Sequence, residues 1–326
     1  MLKLQVSVVV PTYKRPDLLR RCLEALLAQS LVPTAYEIIV VDDAPTPETR
    51  YLVEGLASIT RGVPALHYLT APDTQGPAGA RNRGWRFAMA PIVAFTDDDT
   101  VPDRDWLWNG LQAMARDDLA AVWGRVVVPL PEAPTDHEKN TKGLERAGFV
   151  TANCLVRRDA LEAIHGFDER FRRAWREDTD LYFRLTELVG PVAQAPQAVV
   201  VHPARKAPWG VSLSQQANAY FDALLYKLHP QRFRQVVRRR PPWRYYFIVA
   251  ATLGAGVAAL AGAGMWAALL LLAALAGIVD FAHERLKGTS HAPAHVAEMV
   301  ITSAAIPFLS VYWRLAGSIR FRVLYL

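Results

Sequence analysis

Up to about Phe95 the chain alternates short apolar runs with stretches whose apolar residues recur at helical spacing. Residues 4–10, 37–41 and 92–95 are short apolar runs rich in β-branched side chains and, with 65–69, predict strands. Between them, residues 17–29 place Leu18, Leu19, Cys22, Leu23, Leu26 and Leu27 on one helical face, and residues 46–58 and 78–89 predict two further helices. Repeated βα units with such strands imply an α/β fold, a mostly parallel sheet with helices on both faces. Ligands of these sheets bind beyond the carboxyl ends of the strands. Residues 11–15, Asp42 with Asp43, and the run Asp97, Asp98, Asp99 all lie at those ends, so they are expected to converge. From 102 to 228 the pattern is less regular. Residues 120–128 and 149–156 read as strands flanking a charged, proline-rich loop (129–146), Leu181, Leu185 and Leu188 mark a helix, and 197–202 another strand.

A third pattern follows. Residues 245–279 contain no charged side chain. That is long for one bilayer crossing of roughly 20 residues and short for two ordinary ones. Gly262, Ala263 and Gly264 offer a turn near the middle. Arg238, Arg239, Arg240 and Arg244 precede the stretch, and Arg285 and Lys287 follow it. A transmembrane helical hairpin over about 245–280 with both ends on the cytoplasmic side satisfies these facts; a buried soluble hairpin is the alternative. Residues 294–311 are apolar again but carry His295, Glu298 and Pro307, and are followed by Arg314, Arg320 and Arg322. Full spanning would leave that basic tail outside, so an interfacial amphipathic helix over about 294–320 is expected.

Charge sharpens this picture. The net charge is only +6, but residues 203–244 hold nine basic side chains against Asp222 alone. Placed just before the apolar stretch, they suit an anionic membrane surface, and no nucleic-acid motif accompanies them. The two cysteines, Cys22 and Cys154, lie in apolar runs and read as buried thiols of a reducing compartment. The N-terminal apolar region is too short for a signal peptide. A chain of 326 residues accommodates one sizeable core and an appendage.

The chemistry gathers at Asp97, Asp98 and Asp99. Adjacent carboxylates repel unless a cation sits among them. In an extended segment Asp97 and Asp99 point to one side and Asp98 to the other. Oxygen ligands with room for water suit Mg²⁺ or Mn²⁺, ions that share coordination with substrate phosphates. A solvated acidic turn capping a helix near Asp103 is the plain alternative.

Five segments occur in one order: residues 8–15 (VVVPTYKR), 38–43 (IIVVDD), 76–82 (GPAGARN), 95–99 (FTDDD) and 176–181 (REDTDL). Together they resemble the inverting glycosyltransferases of family 2, with the GT-A fold, over roughly residues 5–205. The resemblance implies a catalytic domain over 1–230, its nucleotide-binding half 1–100 and its acceptor-binding half 101–230, before a basic linker and the membrane segment. It implies that Pro11, Tyr13 and Arg15 hold the nucleotide, that Asp42 with Asp43 receives a hydrogen bond from base or ribose, and that Asp98, Gly79 and Arg81 adjoin the donor. An exposed helix charge is the other reading of Arg81, and a turn-and-cap role that of Asp42. Asp97 and Asp99 would hold Mn²⁺ or Mg²⁺, with His202 as the third protein ligand or as a structural histidine. Asp178, paired with Glu177, would be the general base, and Trp175 a wall of the acceptor pocket; a helix start explains acids there too, and Asp180 fits a first-turn charge.

The function implied is transfer of one sugar from a nucleotide-diphosphate sugar to a lipid-linked or membrane-proximal acceptor in cell-envelope glycan synthesis. It would occur at the inner membrane with the catalytic domain cytoplasmic. The chain lacks the Gln-x-x-Arg-Trp motif of polymerising members. Two rivals stand beside it: a catalytically silent membrane-tethered binding module, and a haloacid-dehalogenase-like phosphatase, whose Asp-x-Asp-x-(Thr/Val) motif residues 97–101 also fit.

Overall fold

The computed structural model describes residues 3–71 and 76–325. In chain order the elements are β1 (Val6–Thr12), α1 (Pro16–Leu27), β2 (Tyr36–Asp42), α2 (Pro47–Ile59), β3 (Ala65–Thr70), α3 (Pro77–Phe87), β4 (Ile92–Phe95), β5 (Val101–Pro102), α4 (Trp106–Ala113), β6 (Ala121–Val127), α5 (Asp136–Thr141), β7 (Cys154–Arg157), α6 (Arg158–Ala163), α7 (Glu177–Leu188) and β8 (Val192–Val201). The short helices α8 (Val211–Gln215), α9 (Asn218–Leu228) and α10 (Pro230–Arg232) follow, then three long ones, α11 (Trp243–Leu260), α12 (Gly264–Leu286) and α13 (Pro293–Phe321).

The chain divides into two compact units. The first comprises residues 1–129 and 142–205. Its eight strands form one sheet in the order β3-β2-β1-β4-β7-β6-β8-β5. β3, β2, β1 and β4 run parallel; β7 is antiparallel to both β4 and β6, β8 is parallel to β6, and β5 closes the edge antiparallel to β8. The continuous apolar runs arise because β1, β2 and β4 are covered on both faces. Val8, Val10, Ile38, Val40 and Ala94 face α1, α2 and α4, while Val9, Ile39, Val41, Val93 and Phe95 face α3, α6 and α7. This is the α/β architecture that the βα repeat predicts.

One sequence expectation is corrected here. The strand expected over 149–156 begins only at Cys154. Before it, Asn153 closes a turn onto Val150, and its amide side chain bonds the carbonyls of Arg125 and Ala198 and the Trp106 indole. Those bonds override the apolar pattern. The strand expected over 120–128 forms as β6, and its pairing with β8 shifts register between Gly124 and Arg125. Here a Cβ on Gly124 would overlap the Ala198 carbonyl oxygen and the Asn153 amide. Because a backbone atom must give way, Gly124→Ala is expected to cost about 1–3 kcal/mol, the usual range for overpacking. Chemical denaturation reads it, and an unchanged midpoint would contradict the close approach.

The second unit comprises residues 130–141 and 206–326, so α5 joins the C-terminal helices. α11 and α12 form a hairpin through Ala261, Gly262 and Ala263, and Gly262 takes φ +74°, a left-handed conformation open to glycine. Arg244 at its start reaches Asp280 (3.1 Å) and Glu284 at its end. By length and composition α11, α12 and α13 are each able to cross a membrane. α13 buries a stripe including His295, Thr302, Ser303, Ser310, Arg314 and Gly317, and exposes Val300, Ile301, Phe308, Leu315 and Ile319. Met299, Ile306 and Pro307 share that buried side with the polar residues, while the exposed side is largely apolar. Arg285, itself buried, gathers this unit: it donates to Thr302, Ser303 and Ser212 and pairs with Asp136 at 2.9 Å.

Candidate active site

The strand β4 ends at Phe95, so Asp97 to Asp99 lie not on an extended segment but in a turn. Thr100 closes it by donating its N–H and hydroxyl to the Asp97 carbonyl. The turn still separates the carboxylates. Asp98 faces β1, accepting from Thr12 Oγ1 at 2.8 Å and from Arg15 at 3.3 Å. Asp97 and Asp99 turn instead towards His202, which follows β8, and ligand atoms of all three lie within 4.8 Å of one another. His202 is buried, with Nε2 3.6 Å from Asp99 Oδ1 and Nδ1 without a hydrogen-bond partner among the described residues. Two carboxylates and an under-bonded imidazole converge. That donor set fits a divalent cation of the Mn²⁺ or Mg²⁺ kind.

Each aspartate also has its own arginine: Asp97 pairs with Arg81 (2.7 Å), Asp98 with Arg15 (3.3 Å) and Asp99 with Arg205 (2.6 Å). Burial pushes Asp98 up to about 6, with Arg15 opposing and Asp99 adding to the rise. Burial acts on Asp97 in the same sense, but Arg81, His202 and Arg205 outweigh it and hold its carboxyl below the ordinary range. Arg205 belongs to this site although the sequence presented it only as part of a basic run.

Arg81 is not an exposed helix charge. It is buried on α3, and its guanidinium bridges Asp97 to Glu177 Oε1 (3.0 Å). The next residue, Asn82, uses both ends of its amide: Nδ2 donates to Phe167 O and Glu169, and Oδ1 accepts from Phe167 N and Trp85 Nε1. α3 thereby clamps the segment leading to α7.

At the start of α7, Arg176 has a left-handed backbone (φ +76°), an uncommon conformation for a side chain with a Cβ. Its guanidinium stacks 4.5 Å from the centre of the half-buried Trp175 ring. The helix then opens on Glu177 and Asp178, which the helix dipole favours. The two differ. Glu177 is buried against Arg81, whereas Asp178 is partly exposed and, among the described residues, accepts through Oδ1 from Thr179 N and Oγ1. Burial raises both carboxyls, against Arg81 for Glu177 and Arg176 for Asp178. Asp180 pairs with Arg184 four residues on, as a first-turn structural charge.

On the other flank, Asp42 is fully buried and receives bonds from Ala44 N, Thr46 N and Tyr68 OH. The cap of α2 is Thr46 itself. Asp43 is the more open carboxylate; Oδ2 accepts from Gly76 N at 2.9 Å, and Oδ1 has no partner among the described residues. Burial raises it, Gly76 opposing. Gly76 needs to be glycine: its φ is +95°, and a Cβ would overlap the Arg172 carbonyl. Pro11 and the exposed Tyr13 lie at the end of β1, and Gly79 is buried in the first turns of α3. The structure thus brings the loop after β1, the carboxylates after β2 and β4 and the acids of α7 to the carboxyl end of the parallel strands, with Arg81 bridging Asp97 and Glu177.

Comparison with known proteins fits this arrangement. The family model for glycosyl transferase family 2 matches residues 7–165. The succinoglycan biosynthesis protein ExoM of Rhizobium meliloti is 32% identical over 213 residues, 61% of this chain and 67% of that protein. The chain belongs to glycosyl transferase family 2. As a family 2 glycosyltransferase it moves a sugar from a nucleotide sugar, and the phosphatase reading of Asp97 to Asp99 falls away. Other relatives include glycosyltransferase AglE of Haloferax volcanii (27% identity; 65% of this chain, 70% of that one). A GalNAc(5)-diNAcBac-PP-undecaprenol beta-1,3-glucosyltransferase of Campylobacter jejuni is 31% identical over 45% of this chain and 46% of its own length. Among solved structures, the mannosyltransferase PcManGT of Pyrobaculum calidifontis, in complex with GDP-Man and Mn²⁺, aligns over 98% of this chain and 87% of that one, with a TM-score of 0.58 and 19% identity. It shares the GT-A-like fold, and three long apolar C-terminal helices associate this glycosyltransferase with a membrane.

Proposed function

We propose that the chain is a divalent-metal-dependent, inverting glycosyltransferase that moves one sugar from a nucleoside-diphosphate sugar to a lipid-linked acceptor at the cytoplasmic face of the membrane. The observation that carries the reading is the convergence of Asp97, Asp99 and His202 at one end of the Arg81 bridge, with the Glu177–Asp178 pair at the other. Asp97, Asp99 and His202 would hold the ion. Bound there, Mn²⁺ or Mg²⁺ neutralises charge developing on the leaving diphosphate. Asp43, with Asp42 shaping its turn, accepts from the base or ribose, and Pro11, Tyr13, Arg15 and Gly79 line the donor's approach.

Asp178 is the base. Its Oδ2 takes the proton of the acceptor hydroxyl as the hydroxyl oxygen attacks the anomeric carbon and the bond to the diphosphate breaks on the opposite side. Glu177, fixed by Arg81, holds the start of α7 in place, and Trp175 flanks the acceptor. Support for a lipid-linked acceptor comes from the Campylobacter relative, whose acceptor is an undecaprenol diphosphate glycan, and from the apolar C-terminal helices.

The test is nucleoside diphosphate release from a panel of nucleotide sugars with Mn²⁺ or Mg²⁺, GDP-mannose included, with and without polyprenyl phosphate or diphosphate acceptors. Release that needs no divalent ion, or no lipid acceptor dependence with any donor, would overturn the corresponding part.

We also propose that α11 and α12 cross the bilayer as a hairpin with Arg238, Arg239, Arg240 and Arg285 on the cytoplasmic side, and that α13 lies in the interface with its apolar side in lipid. The full chain is then expected to need detergent for extraction and to resist carbonate and high salt. Recovery as a soluble monomer without detergent would refute the hairpin.

A further inference from the structure

We infer that Arg205 is a tethered counter-cation for Asp99 that couples binding of the divalent metal to binding of the donor's diphosphate. The inference rests on reading Asp97, Asp99 and His202 as the metal ligands. The three arginines of the site are held differently. Arg81 is 3% exposed and locked between two carboxylates, and Arg15 sits at the head of α1. Arg205 is 43% exposed and lies on the irregular segment after β8; its Nε is 2.6 Å from Asp99 Oδ2, an oxygen that has no aligned hydrogen bond among the described residues. Such a partly solvated pair is weakly held. Asp99 is oriented oppositely on its other oxygen, where Oδ1 faces His202 Nε2. One oxygen therefore looks into the ligand cluster and the other faces a partly exposed cation three residues beyond His202.

Two consequences follow from charge alone. A divalent ion at the cluster meets Arg205 as a like charge within a few ångströms, so Arg205 opposes the ion when it comes alone. A diphosphate arriving with the ion offers the planar guanidinium fork a pair of anionic oxygens, a bidentate acceptor better than its present contact. Arg205 then changes from competitor to partner. Metal and diphosphate each favour the other, by the same factor in both directions.

The experiment uses the full chain in detergent micelles, with Mn²⁺ binding followed by electron paramagnetic resonance, alone and with saturating GDP or UDP. In the wild type the better nucleotide is expected to tighten Mn²⁺ binding by about 10–100-fold, within the usual range of coupling. In Arg205→Gln, Mn²⁺ alone should bind several-fold more tightly and the coupling factor should fall about tenfold, with Arg205→Lys between the two. Unchanged Mn²⁺ affinity and unchanged coupling in Arg205→Gln would overturn the inference while leaving the metal site in place. Mn²⁺ binding to neither protein would overturn the metal-site reading and this inference with it. A fold shared by all three proteins, checked by circular dichroism, separates these effects from unfolding.

Discussion

Asp99→Asn is expected to remove transfer almost completely, by on the order of 10³-fold or more. A metal clamp on a developing phosphate charge supplies several kcal/mol of transition-state stabilisation, and each 1.4 kcal/mol is tenfold. Asparagine keeps the shape of the side chain and one oxygen, but it removes the charge that a divalent ion and Arg205 both answer. Asp97→Asn should act similarly, and it also strips Arg81 of one of its two carboxylates. Asp98→Asn is the internal control. Its oxygens are engaged by Thr12 and Arg15 rather than by the ligand cluster, so it should loosen the loop after β1 and spare metal binding. Measured together, nucleoside diphosphate release and Mn²⁺ binding check all three. Full activity of Asp97→Asn and Asp99→Asn in EDTA would remove the assignment.

Asp178→Asn is expected to lower turnover by about 10²–10⁴-fold, the usual worth of general-base catalysis, while donor affinity stays within a few-fold. The neighbouring acid should behave otherwise. Glu177 is buried against the Arg81 guanidinium, so Glu177→Gln leaves a buried charge less compensated and should cost stability as well as rate. Steady-state kinetics beside thermal melts separates the two carboxyls. A tenfold loss of donor affinity with unchanged turnover in Asp178→Asn would move that residue to the donor side.

Hydrophobic spacing located β1, β2, β3, β4 and the first three helices to within about two residues, because each buries its own local pattern. It also located the turn at Gly262. The two-residue β5 escaped it, since so short a strand has no period of its own. The strand expected at 149 failed for a different reason: the conformation there is decided by Asn153 reaching carbonyls 28 and 45 residues away. In the site, the motif acids were legible as types and positions. Their division of labour was not. Glu177 and Asp178 are adjacent in sequence, and only the three-dimensional position of Arg81 tells the buried one from the open one. Asp42 and Asp43 are likewise distinguished by Tyr68 and Gly76, on separate elements. Arg205 carried no local signal, because its partner stands more than a hundred residues earlier.

The Asp136–Arg285 pair has a consequence for how the molecule is made. Its partners are 149 residues apart, and α5 belongs with helices that leave the ribosome far later. At translation rates of about 5–20 residues per second, α5 waits roughly 7–30 s for Arg285 to be synthesised, long enough for the strands on both sides of it to fold first. During that interval Asp136 is without the arginine it pairs with in the folded chain, and the charged and polar residues around it keep the waiting segment soluble. The acids and polar residues of 130–141 thus serve the nascent chain before they serve the native one.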